Sequence, residues 1–177
     1  MWYNLPTTLK EGKLMAEFNG RSLLTIDAKG RMFLPQGYRD QLGTDFVISL
    51  SSDLKTLAFY RNEDWQKKSE KLRRIPETDR RAHKLLRLIF GSTFSSYNTD
   101  AQGRVLIPQA VRQEYGLSEG SEVTLVGVGS NLEIWNSERF AGEAVSLSEQ
   151  EQGEALDYVY EQYFSQNIDL NEGKSEQ

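Results

Sequence analysis

The chain of 177 residues contains no cysteine and a single histidine, His83. Without cysteine there is no disulfide framework, no thiolate nucleophile and no cysteine metal cluster, and one histidine removes most of the remaining catalytic and metal-binding options. No run approaches the roughly 18 apolar residues of a membrane-spanning helix, and no basic start followed by an apolar stretch marks the N-terminus. A cytoplasmic protein with no membrane partner is therefore expected. A hydrophobic share of 38% is enough for a modest core in one large domain or two small ones.

Positive charge is scarce in the second half of the chain. Residues 1–90 carry 17 Lys and Arg against 11 Asp and Glu, whereas residues 91–177 carry 4 against 15, with 9 of those acids beyond residue 140. The net charge of -5 thus belongs mainly to the C-terminal appendage, and residues 1–140 are basic by 3. A nucleic-acid partner stays open for that part.

What the chain does contain is a repeat. Asp27-Ala28-Lys29-Gly30-Arg31-Met32-Phe33-Leu34-Pro35-Gln36 returns 73 positions later as Asp100-Ala101-Gln102-Gly103-Arg104-Val105-Leu106-Ile107-Pro108-Gln109. Arg39 falls on Arg112 and Gly43 on Gly116 in the same register, giving eight identities over residues 27–43. Such a repeat fixes the architecture before anything else is read. In each copy two short apolar runs flank Asp-x-x-Gly-Arg, which predicts a β-hairpin with the glycine in its turn and the aspartate bonded to turn amides. Pro35 and Pro108 then open short helices at the first helical position, ending near Gly43 and Gly116.

Two further strands follow in each copy, Phe46-Val47-Ile48 with Leu57–Tyr60 and Val123–Val126 with Leu132–Trp135, and then another helix. Gly127-Val128-Gly129 reads as a hairpin turn rather than a phosphate loop. The fold class is α+β, mainly β, made of two β-β-α-β-β-α repeats. A unit of about fifty residues buries too little surface to stand alone, so the two should share one core about a pseudo-twofold axis. The expected organisation is an N-terminal extension over 1–20, repeat 1 over 21–65, basic linker helices split by Pro76 over 66–93, repeat 2 over 94–140, and an acidic helix and tail over 141–177.

In the linker, Ala82, Leu85, Leu86, Ile89 and Phe90 fall on one helical face, predicted to lie on the core. The group Lys67, Lys68, Lys71, Arg73 and Arg74 reads as an exposed basic helix face. Leu156, Val159, Tyr160, Tyr163 and Phe164 at helical spacing predict an amphipathic helix in the tail.

The two Asp-x-x-x-Arg signatures, Asp27 to Arg31 and Asp100 to Arg104, resemble those of the MraZ family, whose members carry two SpoVT-AbrB type repeats. The similarity runs over roughly residues 16–140 and includes the proline after each hairpin, Leu85-Leu86-x-Leu88 and the closing Leu-Glu-Ile-Trp strand. It implies a swapped-hairpin β-barrel of the AbrB kind with flanking helices. It also implies a nucleoid-associated transcriptional regulator, acting as a repressor, that binds G-rich direct repeats in double-stranded DNA ahead of the division and cell-wall gene cluster as a ring-like homo-oligomer.

On that reading Arg31 and Arg104 meet guanines, Lys29 and Gln102 flank them, Asp27 and Asp100 orient them, and Arg39 and Arg112 fix register on phosphates. The same Asp/Arg pairs also fit a plain turn clamp. An oligomeric interaction module without DNA contact is the alternative function. An enzyme is not expected, because no nucleophile, general base or metal set accompanies the arginines, and neither cofactor nor small-molecule ligand is expected.

Overall fold

The computed structural model describes residues 17–164. Most of the expected N-terminal extension, residues 1–16, and the end of the acidic tail from residue 165 lie outside the described residues. The chain divides into two units at Phe140.

In the first unit the elements run β1 (Arg21–Thr25), β2 (Arg31–Phe33), α1 (Gln36–Leu42), β3 (Phe46–Leu50), β4 (Leu57–Arg61), α2 (Asn62–Arg73), α3 (Arg80–Gly91), β5 (Phe94–Tyr97), β6 (Arg104–Leu106), α4 (Gln109–Arg112), β7 (Glu122–Gly127), β8 (Asn131–Asn136) and α5 (Ser137–Arg139). The β-β-α-β-β-α order thus occurs twice. Six strands form one antiparallel sheet in the order β1-β7-β8-β4-β3-β5, and β2 pairs with β6 in a separate two-stranded ladder.

Exchanging each strand for its counterpart in the other repeat reverses the order of the sheet without changing it. Two of the cross-repeat pairings obey the same exchange residue by residue. In the β4–β8 pair Leu57 faces Ile134 and Phe59 faces Leu132 across the central Ala58–Glu133 pair. In the β2–β6 pair Arg31 faces Leu106 and Phe33 faces Arg104 across Met32–Val105. The two repeats are therefore related by an approximate twofold axis through these two central pairs.

The predicted hairpins within each repeat do not form. The turn itself closes, with Asp27 N donating to Arg31 O at 2.7 Å and Gly30 N to Asp27 O at 2.9 Å. Beyond it the strands part. β1 crosses to β7 of the second repeat, β5 crosses to β3 of the first, and β2 and β6 find each other. Crossing over merges two cores that would each be too small to exclude water. The sheet is open, with β1 and β5 at its edges, so strand pairing does not close the expected barrel.

The core is continuous across both repeats. All five residues of β3 and the first four of β4 are buried, as strands covered on both faces should be. Edge strand β1 instead alternates, with Leu23 exposed and Leu24 turned to the core. Met32 and Val105 are 1% and 0% exposed and fasten the small ladder to this core. Burying each contributes roughly 1.5–3 kcal/mol.

Proline cannot continue a ladder, and its fixed φ suits a helix entry. Pro35 (φ -53°) and Pro108 (φ -57°) sit at the N-cap, one residue earlier than expected. Gly43, at φ 87°, ends α1. α4 stops at Arg112, four residues short of Gly116, and irregular turns bridge the gap. α2 follows β4 directly. Asp79 caps α3 by accepting from Arg81 N and Ala82 N at 3.0 Å each. Of the predicted core-facing residues of α3, only Ile89 is buried, while Leu85 and Phe90 stay exposed with Leu88.

The second unit is described from Ala141 to Phe164. It contains α6 (Glu149–Val159), which opens on a capping box between Ser148 and Glu151, and a π-helical turn over Tyr160–Phe164. Leu156, Tyr160 and Tyr163 are exposed, and the Tyr160 and Phe164 rings meet edge to face at 5.5 Å.

Candidate nucleic-acid interface

Alternation along the two short ladder strands sorts their side chains. Met32 and Val105 point inward, so Arg31, Phe33, Arg104 and Leu106 share the outward face. Phe33 and Leu106 are each 48% exposed there. The preceding turns place the rest of the site at the two ends of this ladder.

Both turns are built alike. Asp27 Oδ1 accepts from Lys29 N at 2.8 Å and Arg31 N at 2.9 Å, and Asp100 Oδ1 accepts from Gln102 N at 3.0 Å and Arg104 N at 2.9 Å. The second oxygen holds the arginine side-on. Arg31 Nε and Nη2 lie 2.9 and 2.7 Å from Asp27 Oδ2, and Arg104 Nε and Nη2 lie 2.9 and 2.8 Å from Asp100 Oδ2. Three hydrogen bonds to the ionised form, led by that from the arginine side chain, and the charge of Arg31 hold the Asp27 carboxyl down at about 2. Asp100 is lowered by the same causes.

A side-on clasp leaves the far edge of the guanidinium open. Of five N–H donors, Nε–H and one Nη2–H face aspartate, so the Nη1/Nη2 fork is the edge a guanidinium can still offer to a pair of acceptors. The two forks differ. Arg31 Nη1 lies 3.8 Å from Asp100 Oδ2, a long contact that joins the two turns. Arg104 Nη2 donates its second hydrogen to Gln102 Oε1 at 2.8 Å, so Gln102 guards that fork.

Each turn rests on an arginine from the other repeat. Gly30 and Gly103 have φ of 77° and 76°, which only glycine adopts easily, and both are buried. A Cβ on Gly30 would fall 1.1 Å from Arg112 Nη1, and one on Gly103 would fall 2.5 Å from Arg39 Nη1. Backbone bonds cross in the same sense, from Leu34 N to Gly103 O and from Ile107 N to Gly30 O, both at 2.9 Å.

Comparison with known proteins follows this geometry. The profile of the family described as "MraZ protein, putative antitoxin-like" matches residues 18–88 and again 89–155. The chain belongs to the MraZ family. It is 36% identical over 121 residues to "Transcriptional regulator MraZ" of Carboxydothermus hydrogenoformans, covering 68% of this chain and 82% of that protein. It is 39% identical over 126 residues to the protein of the same name from Lachnoclostridium phytofermentans, covering 71% and 83%. With the one from Acetivibrio thermocellus it shares 33% over 123 residues, covering 70% and 83%.

Within this MraZ fold, six of the eight residues picked out in the sequence gather at the ladder: Asp27, Lys29, Arg31, Asp100, Gln102 and Arg104. Arg39 and Arg112 pack behind it, each against the turn of the other repeat. Arg112 is 7% exposed, pairs with Glu119 at 2.8 Å and packs beneath Gly30, so it does not reach outward to a phosphate. Arg39 is half-buried against Gly103, with its guanidinium 5.6 Å from the Phe33 ring centre.

Phe33 and Leu106 are the residues that sequence reasoning missed. Read with period two from Arg31, the run Arg-Met-Phe-Leu places Phe33 beside the arginine, and the same count places Leu106 beside Arg104.

Proposed function

We propose that the chain is a sequence-specific DNA-binding transcriptional regulator whose β2–β6 ladder enters the major groove of double-stranded DNA. The observation that carries this reading is the pair of guanidinium forks held side-on by aspartate on one exposed two-stranded face. A β-ribbon fits the major groove, and each fork suits one guanine. Lys29, exposed at its turn, adds phosphate attraction. Phe33 and Leu106 supply apolar surface for thymine methyl groups. Arg39 and Arg112 act behind the turns as positioning residues. The names of the related proteins agree with a regulator.

One protomer offers little net charge at this face, since Asp27 and Asp100 offset two of the three cations. Selective binding then calls for several protomers on successive sites, which gain affinity through effective concentration. A ring-like homo-oligomer on G-rich direct repeats meets that need, and occupancy of a promoter ahead of the division and cell-wall cluster would repress by excluding polymerase. Exposed Phe33 and Leu106 also favour a second reading, in which the face meets another subunit instead of DNA.

Mobility shifts of the full chain on duplexes with G-rich direct repeats, at rising salt, separate the two. DNA binding predicts affinity falling steeply with salt, with a log–log slope of about -0.9 per phosphate neutralised. It also predicts a loss of at least about tenfold when guanines become adenines. Binding indifferent to both would leave the subunit contact as the function of the face.

A further inference from the structure

A cavity of about 320 Å³ lies between α2 and the ends of β4 and β8, with Tyr60, Lys67, Lys68, Lys71, Ser130 and Asn131 among its walls. Three of its eight lining residues are lysines, and Ser52 and Asp64 complete the wall. Lys67 and Lys71 are exposed, one turn apart on α2, and Lys68 sits deeper beside them.

Lys68 is the unusual member. Its ammonium donates to Tyr60 Oη at 2.8 Å and Leu50 O at 3.2 Å, and packs 4.7 Å from the Tyr60 ring centre. Among the described residues no carboxylate lies within 4 Å of it. An ammonium has three donors, and two are used. Burial pushes its pKa below the ordinary lysine value, opposed in part by Glu133. A half-buried cation with a spare donor and no contacting counter-ion favours an anion.

The one acid in the cavity wall, Asp64, is already committed. Asp64 Oδ2 accepts from Arg61 Nε at 2.6 Å, and only its other oxygen approaches Lys67, at 3.7 Å. Asn131 supplies an independent sign. It is 4% exposed, its Oδ1 has no hydrogen-bond partner, and its Nδ2 has only a 3.5 Å contact to Ser130 Oγ. Turning the amide over lets Ser130 Oγ donate to Oδ1 and puts the Nδ2 donor where the unpartnered oxygen stands, without changing its shape.

We propose that this cavity binds a small phosphate-class anion, inorganic phosphate or the phosphoryl group of a small molecule, with Lys68 at its base, Lys67 and Lys71 at its mouth, and Asn131 and Ser130 on the opposite wall. The concave shape suits a small ion better than a duplex, whose convex backbone meets only the mouth. The proposal is independent of the ladder face, whose residues take no part in it.

Thermal melting of the full chain with inorganic phosphate, against chloride at matched ionic strength, tests it. Phosphate should raise the melting temperature saturably, as a ligand of the folded state does. Lys68→Met should abolish the rise. Because Lys68 also bridges Tyr60 and Leu50, the exposed double variant Lys67→Ala/Lys71→Ala provides a second reading and should weaken phosphate binding at least about tenfold. Duplex affinity should stay unchanged in the double variant. A rise reproduced by chloride, an undiminished phosphate effect in the double variant, or a loss of duplex affinity there instead of phosphate binding would overturn the proposal.

Discussion

Each ladder arginine divides its guanidinium between two duties, and the division can be tested residue by residue. The edge held by aspartate fixes orientation, and on the proposed function the fork beyond it meets guanine. Arg31→Lys keeps the charge but loses the fork, so guanine discrimination should fall by about 1–3 kcal/mol at one position of the site, measured by binding to single-base variants of the duplex. Gln102→Ala releases the second fork and should sharpen guanine preference on the Arg104 side. The clasps also titrate. Asp27 has its carboxyl depressed from an ordinary 3.8 to about 2. Its contribution to stability is therefore fully present above about pH 4 and lost as pH falls toward 2. Acid unfolding followed by circular dichroism should show a smaller decline over that window in Asp27→Asn/Asp100→Asn than in the parent chain.

At the scale of elements, the turns are held by the opposite repeat. Gly30→Ala asks for a left-handed backbone, costing about 1–2 kcal/mol, and drives a methyl into Arg112 as well. Chemical denaturation should show a loss above that range. Gly103→Ala meets Arg39 at a longer distance and should cost less.

The elements themselves were legible in the sequence. Apolar runs, the prolines after each turn and Gly43 locate most strands and helices to within a residue or two, though α4 stops four residues before Gly116, and the repeat announces the twofold relation. Strand partnership was not legible, because β1 carries the same alternation whether it pairs with β2 or β7. Only the need for a shared core decides, and that is a property of both repeats together. The packing of Arg39 and Arg112 was not legible for the same reason, since Arg39 lies against Gly103, 64 positions away, and Arg112 against Gly30, 82 positions away. The lysine-lined cavity escaped notice because β8 and α2 are distant in sequence, and a basic run alone reads as an exposed helix face.

At the scale of the whole molecule, the proposed function joins a weakly charged face to repetition of that face. On that function the two arginines read DNA and do not hold subunits together. Arg31→Ala/Arg104→Ala should leave particle mass unchanged by sedimentation or light scattering while binding to a G-rich direct-repeat duplex falls by at least about a hundredfold, two forks being lost per protomer. A double variant that still bound the duplex with parental affinity, or one that fell apart into smaller particles, would contradict the account.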